Sequence, residues 1–252
     1  MSHHKIEVRN LHFSYPDGHE AIKNMSFSIY HGESVGIIGA NGAGKSTLLM
    51  LLMGVLFPDS GEVLVGDVRV TKKTLPLIRQ RLGMVFQDPD DQLFMTTVYD
   101  DVAFGPRNYK LEEEDVERRV MQALEMVGIP HLKDRAPYKL SGGEKRSAAI
   151  ASVLSMQPDV LIMDEPTSGL DPKSRRRVIE LLKSFEHTKI ITSHDLDMVF
   201  ETCERIIVIK KGEIAVDGST EEILSNAELL NSCGLELPLS LQNCPVCGTA
   251  KG

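Results

Sequence analysis

Gly39-Ala40-Asn41-Gly42-Ala43-Gly44-Lys45-Ser46-Thr47 is the stretch on which the reading of this chain turns. It follows the apolar run Ser34–Ile38, which reads as a short strand, and precedes Lys45–Met53, which reads as a helix. The spacing is G-x-x-x-x-G-K-[ST] in the strand–turn–helix setting that the motif requires. Glycines let successive backbone N–H groups point into one concavity, and a helix N-terminus adds partial positive charge. Lys45 is expected to reach the β- and γ-phosphates of a nucleotide, and Ser46 to hold Mg²⁺ through its hydroxyl. The phosphate cradle is therefore expected at Gly39, Asn41, Gly42, Ala43, Gly44, Lys45, Ser46 and Thr47. A glycine-rich turn without a ligand could share the composition but would not need this spacing.

Outward from that loop, strand-like and helix-like segments alternate. Lys5–Tyr15, Met25–Tyr30 and Glu62–Val70 show period-two alternation, and Leu75–Leu82 reads as a helix before a short strand at Gly83–Phe86. From Asp88 the pattern becomes helical. Val98–Phe104 is expected to stop at Gly105-Pro106, and Leu111–Val127 is amphipathic with Glu114–Arg118 and Asp115–Arg119 at i,i+4. Ser141–Met156 is a further helix. Strands return at Val160–Met163 and Lys189–Thr192, with a helix at Arg175–Phe185 between them. Arg205–Ile209 and Glu213–Asp217 flank Lys210-Lys211-Gly212 as a hairpin, and a helix follows near Thr220–Ser225. The chain from Asn226 onward lacks strong periodicity. The expected fold is α/β, with a mostly helical segment inserted between two halves of a β/α core.

Composition bounds the possibilities. The 252 residues are 42% hydrophobic and 25% charged, with 28 Lys and Arg against 36 Asp and Glu, a formal charge of −8. That balance argues against a protein that coats nucleic acid, which needs a basic face. The absence of Trp and the 5% aromatic content argue against base-stacking platforms. No run approaches the ~18–20 apolar residues of a membrane span, and Met1-Ser2-His3-His4-Lys5 has no apolar core like that of a secretory signal. Cysteines at 203, 233, 244 and 247 are too sparse for a disulfide framework, which fits a reducing compartment.

A second constellation lies at Val160-Leu161-Ile162-Met163-Asp164-Glu165, an apolar strand ending in two acids. Ligands of parallel sheets bind at the carboxyl ends of strands. Asp164 is thus placed to bind Mg²⁺, and Glu165 to orient or deprotonate an attacking water. A third is Leu140-Ser141-Gly142-Gly143-Glu144-Lys145-Arg146. Ser141 and Glu144 form the capping box S-x-x-E, so the segment could simply start a helix. It could equally be a second phosphate-binding helix terminus. One nucleotide seldom needs two such termini, and a dimer resolves this by letting one helix start cap the γ-phosphate held by the other copy.

Taken together and in order, the loop at 39–47, Gln87, Leu140–Arg146, Asp164-Glu165, Ser168-Gly169-Leu170-Asp171 and His194 resemble an ATP-binding-cassette ATPase over about residues 5–225. The resemblance implies a P-loop NTPase cassette with a RecA-like core, an antiparallel β subdomain and an inserted helical subdomain, using ATP and Mg²⁺. It implies two cassettes that sandwich two ATP molecules head to tail. Ser141, Gly142, Gly143 and Glu144 would contact the nucleotide of the opposite subunit, and Asp171 would communicate between the sites. Glu165, His194, Gln87 and Lys45 would be catalytic, with Ser46, Gln87 and Asp164 around the metal. Tyr15, in Phe13-Ser14-Tyr15-Pro16-Asp17-Gly18, would stack on adenine. Glu144 stands where many relatives carry Gln, and either side chain closes the capping box.

Gln87–Phe94 (QDPDDQLF) followed by Thr97–Pro106 (TVYDDVAFGP) is similar to the ATPase subunits of energy-coupling-factor transporters for cobalt, nickel or vitamins. That implies membrane-embedded transporter subunits as partners, a second copy or a paralogous cassette, no nucleic acid, and a place on the cytoplasmic face of the cell membrane. The alternatives are a shared vitamin-uptake ATPase and a soluble cassette of DNA repair or translation. The expected domains are residues 1–87 with 157–225 as nucleotide-binding core, 88–156 as helical subdomain and 226–252 as a C-terminal extension. In that extension Cys244-Pro245-Val246-Cys247 has the shape of half a zinc site or of an inert terminus.

Overall fold

Three five-residue runs, Ser34–Ile38, Val160–Asp164 and Thr188–Thr192, are buried along their whole length. That is the mark of parallel strands covered on both faces. The computed structural model describes residues 6–242; Cys244 and Cys247 lie outside them. The chain divides into two compact units, one built from residues up to Ile78 together with those from His187 onward, the other from Arg79–Glu186.

The first unit begins with β1 (Ile6–Ser14), β2 (Glu20–Ile29), β3 (Ser34–Ile38), α1 (Lys45–Leu52), β4 (Ser60–Val65) and β5 (Val68–Arg69), and the chain leaves it through α2 (Leu75–Arg81). The second unit holds β6 (Leu82–Val85), α3 (Val98–Asn108), α4 (Glu113–Met126), α5 (Gly142–Leu154), β7 (Val160–Asp164) and α6 (Pro172–Ser184). The first is completed by β8 (Thr188–Thr192), α7 (Leu196–Thr202), β9 (Arg205–Lys210), β10 (Glu213–Ser219), α8 (Thr220–Leu224) and α9 (Ala227–Ser232).

In the first unit, β2-β1-β4-β5 form an antiparallel sheet. Strand β3 runs parallel to both β8 and β9, and β10 closes antiparallel on β9. The apolar residues of β1 alternate with half-buried or exposed ones, as a sheet with one covered face requires. In the second unit β6 and β7 pair in parallel, Leu82 opposite Val160 through Val85 opposite Met163. The architecture is the expected α/β one, with parallel strands, an antiparallel β layer and a helical insertion.

Local departures from expectation have identifiable causes. Helix α3 does not stop at Gly105-Pro106 but continues to Asn108. Pro106 cannot donate to the carbonyl four residues back, that of Val102. The hydroxyl of Ser155 donates to that carbonyl instead at 2.8 Å, so a side chain from α5 replaces the lost helical bond. The expected i,i+4 ion pairs on α4 do not form among the described residues; Asp115 pairs with Arg118 at i,i+3 instead, 2.6 Å apart. The stretch read as one strand at Glu62–Val70 is a hairpin, β4 and β5, broken at Gly66 with φ 61°. Beyond Asn226 the chain forms α9, whose start is capped by the Asn226 side chain accepting from the Leu229 amide. A six-residue helix is too short for periodicity to reveal.

Candidate active site

The first unit assembles the phosphate loop. Strand β3 delivers residues 39–44 to the start of α1, where Gly44 is the N-cap with φ 110° and no side-chain cap. Its backbone passes so close to β2 that a Cβ on Gly44 would lie 2.6 Å from the Ala21 carbonyl oxygen. No other residue type fits that combination of left-handed φ and contact. A helix start with no capping side chain suits an anion, which its first N–H groups and its dipole attract.

Lys45 is buried beneath this loop. Its ammonium donates to the carbonyls of Gly39 (2.8 Å) and Ala40 (3.3 Å) and lies 3.2 Å from His194 Nε2. An ammonium has no lone pair, so in this bond Nε2 is the acceptor. His194 follows directly on β8 and Ser193, while Asp195 caps α7 by accepting from the Met198 amide at 3.0 Å. The two side chains expected to meet a γ-phosphate are thus brought together at the loop. Ser46 is exposed in the first turn of α1. Tyr15 hydrogen-bonds Thr47 through their hydroxyls at 3.0 Å, and Phe13 packs edge-on against its ring at 5.1 Å. The aromatic residue picked from the sequence is therefore fastened to the loop's own helix.

The second unit carries the acids. Asp164 ends β7, and Asp164 and Glu165 are 7% and 8% exposed. Glu165 has φ 48°, a left-handed backbone that costs a residue other than glycine about 1–2 kcal/mol. Its carbonyl accepts from the Ser168 amide at 3.1 Å, closing the turn. Strain held at an acidic residue beyond a strand's carboxyl end makes Glu165 a candidate for function on grounds that sequence cannot display.

The start of α5 is the capping box that the sequence predicts. Ser141 N–H and hydroxyl both donate to Glu144 Oε2 at 2.8 Å, and the Glu144 amide returns to Ser141 Oγ at 3.4 Å. These bonds hold the Glu144 carboxyl below its ordinary range. A Cβ on Gly143 would lie 2.1 Å from Ser174 Oγ, so this glycine is required by close approach of α6. Asp171 caps α6, accepting from the amides of Lys173 and Ser174 and from the Ser174 hydroxyl (2.6 Å), which lower its pKa.

Gln87, just beyond β6, is exposed at its side chain. Two contributors were not legible in sequence. Arg146 is 2% exposed and donates to the carbonyls of Phe86 and Gln87. Gln92, within the Gln87–Phe94 stretch, is a staple: its Oε1 accepts from the Phe86 amide (3.1 Å), and its Nε2 donates to Ala149 O (2.7 Å) and Ser152 Oγ (2.9 Å). Nearby, Phe94 and Phe104 stack edge-to-face at 4.9 Å although 64% and 45% exposed.

Comparison with known proteins shows the family. The ABC transporter family profile matches residues 22–168. A protein of Geobacter sulfurreducens bearing the name ABC transporter ATP-binding protein is 62% identical, over 98% of this chain and all of its own length. The energy-coupling factor transporter ATP-binding protein EcfA of Methanothermobacter thermautotrophicus is 46% identical over 92% of this chain and 76% of its own. Among solved structures, CbiO1 of Clostridium perfringens, part of the ABC transporter complex CbiONQ, superposes with a TM-score of 0.81 at 41% identity, covering 91% of this chain and 94% of its own. The ATP-binding cassette MJ0796, solved as a dimer with ADP and phosphate, gives 0.78 at 28% identity, covering 85% and 98%. Motif order, strand framework and likeness along almost the whole chain converge: it belongs to the ABC transporter family, as one of its ATP-hydrolysing cassettes.

Proposed function

We propose that this chain is the ATPase subunit of an energy-coupling-factor importer whose cargo is cobalt or nickel, working as a head-to-tail dimer on the cytoplasmic face of the membrane. The observation that carries the transport reading is the exposed pair Phe94 and Phe104. Large apolar rings clustered in the open mark a surface that another protein covers. They sit in the Gln87–Pro106 stretch that resembles the importer ATPases, and the likeness to EcfA and CbiO1 supports the same class. Among the described residues no helix is long and apolar enough to cross a membrane, so the pore would belong to the partner.

In this reading Lys45 and the backbone amides of the loop bind the β- and γ-phosphates, and Tyr15 supports the adenine. His194 aligns the γ-phosphate, and Glu165 orients and takes a proton from the attacking water. Ser46, Gln87 and Asp164 offer a hydroxyl, an amide and a carboxylate, the oxygen ligands that Mg²⁺ selects. A bound Mg²⁺ would neutralise charge on the phosphates. Ser141 to Glu144 and Asp171 face the nucleotide of the second cassette.

Two experiments test this. Glu165→Gln should keep ATP binding and lower turnover about 10²–10⁴-fold, the range for a lost general base, leaving a nucleotide-locked dimer on gel filtration. Wild-type turnover in that variant would overturn the role of Glu165. Co-expression with candidate membrane subunits, and metal uptake into cells, tests the importer. Phe94→Ser with Phe104→Ser should abolish co-purification and uptake while ATP binding survives. Retained uptake would remove the docking surface, and uptake of a vitamin in place of metal would reassign the cargo.

A further inference from the structure

The segment from Phe86 to Gln92 is tied to α5 by the side chains of Arg146, Lys145 and Gln92, and one of those ties has a geometry that packing alone does not require. Arg146, in the second turn of α5, donates from Nη1 to the Phe86 carbonyl at 2.8 Å and from Nη2 to the Gln87 carbonyl at 2.6 Å. Those two carbonyls belong to the two peptide planes on either side of the Gln87 Cα. Because each peptide is planar, holding both carbonyls restrains φ and ψ at Gln87, and with them the direction in which its side chain leaves the backbone. A guanidinium fork can do this with one rigid group; an ammonium cannot hold both planes in the same way.

The cost of the arrangement argues for a purpose. Arg146 is 2% exposed, and its Nε makes no hydrogen bond among the described residues. Burial depresses its pKa, opposed by the charges of Asp88 and Asp164. An apolar residue of similar size would pack α5 at lower cost. The neighbouring ties have the same direction. Lys145 pairs with Asp90 at 2.6 Å, and Gln92 bridges the Phe86 amide to Ala149 and Ser152 of α5.

We propose that Arg146 is a positioning residue that hangs Gln87 from the helix beginning at Gly142, so that engagement of that helix start and placement of the Gln87 side chain are one event. The proposal rests on the reading above, in which Gln87 meets the metal and water while Ser141 to Glu144 meet the second cassette's nucleotide. It adds that the two are coupled through two carbonyls and not through the Gln87 side chain.

The test is a double-mutant cycle on the full-length protein, reading kcat and KM for ATP together with equilibrium binding of a fluorescent ATP analogue. Arg146→Met should lower kcat about tenfold or more, as misplacement of a positioned group does, with KM and nucleotide affinity changed less than about twofold. Arg146→Lys should recover part of kcat. In the Gln87→Ala background, Arg146→Met should lower kcat no further, since nothing remains to position. Multiplicative losses would overturn the proposal while leaving the role of Gln87 intact. An unchanged kcat in Gln87→Ala alone would overturn both, and so separates the two failures. If Arg146→Met does not fold, Arg146→Lys carries the cycle. A kcat loss that vanishes in Gln87→Ala supports the proposal, and an independent loss or none refutes it.

Discussion

Two helix starts in this molecule carry glycines in front of a lysine, and they are built on opposite principles. At Gly39–Lys45 the N-terminus of α1 has no capping side chain, its N-cap glycine sits at φ 110°, and the lysine folds back on the loop's own carbonyls. At Ser141–Lys145 the N-terminus of α5 is closed by a reciprocal capping box, and the lysine reaches away to Asp90. The first has no capping side chain and is held by backbone approach; the second pairs the Ser141 and Glu144 amides in its capping box and is held by side chains. A start that must grip a ligand alone is best left uncapped. If Ser141 to Glu144 meet the second cassette's nucleotide, as proposed, that start must be stable before the second cassette arrives, and the capping box supplies that stability.

The largest expected difference tests the backbone half of the contrast. Gly44→Ala combines left-handed strain with a Cβ 2.6 Å from the Ala21 carbonyl, and should cost about 3 kcal/mol or more and abolish ATP binding. At Gly142, where a Cβ would meet nothing within 4 Å, alanine should leave thermal stability within about 1 kcal/mol of wild type. Equal losses at the two sites would dissolve the comparison. Gly143→Ala lies between, since its Cβ would strike Ser174, the side chain at 2.7 Å as well as 2.1 Å. We expect about 2 kcal/mol, largely recovered by Ser174→Gly, with chemical denaturation as the readout. No recovery would mean that this glycine is required by something other than α6.

The contrast also shows what sequence could display. The loop at 39–47 was legible because its motif is local: strand, turn and helix are contiguous, although the close contacts that demand glycine at 39 and 44 are with the Ile209 and Ala21 carbonyls, far along the chain. The capping box was legible for the same reason. Glu165 could be chosen by motif, but its φ of 48° could not. Pro106 was read as a helix stop because the Ser155 hydroxyl that replaces its missing bond lies 49 residues further along the chain, outside any local window. Arg146 and Gln92 were seen as letters of motifs, while their partners 59 and 57 residues away give them their work. Sequence periodicity reports on nearest neighbours along the chain; ties between α5 and the 86–92 segment are neighbours only in space.

The smallest effect isolates the charge within the capping box. The bonds from Ser141 lower the Glu144 pKa below its ordinary value of 4.5. The unfolded chain therefore takes up a proton at higher pH than the folded one. Between the two pKa values the unfolded state binds more protons, so stability rises with pH. The contribution is fully present above about pH 5, shrinks as pH falls through the folded pKa, and is gone below it. Glu144→Gln keeps an oxygen acceptor for the Ser141 amide and hydroxyl but cannot titrate. At neutral pH the glutamate should be the more stable by a fraction of the ~1 kcal/mol typical of a whole cap, because the pair is open to solvent. The two denaturation midpoints should converge on acidification. A gap that stays constant with pH would show that the box acts by geometry alone, so that Gln or Glu at this position is a matter of indifference to the helix start. Convergence would show that the ionised acid adds stability to the start of α5, whereas α1, with no acid in its first turn, has no corresponding term to lose.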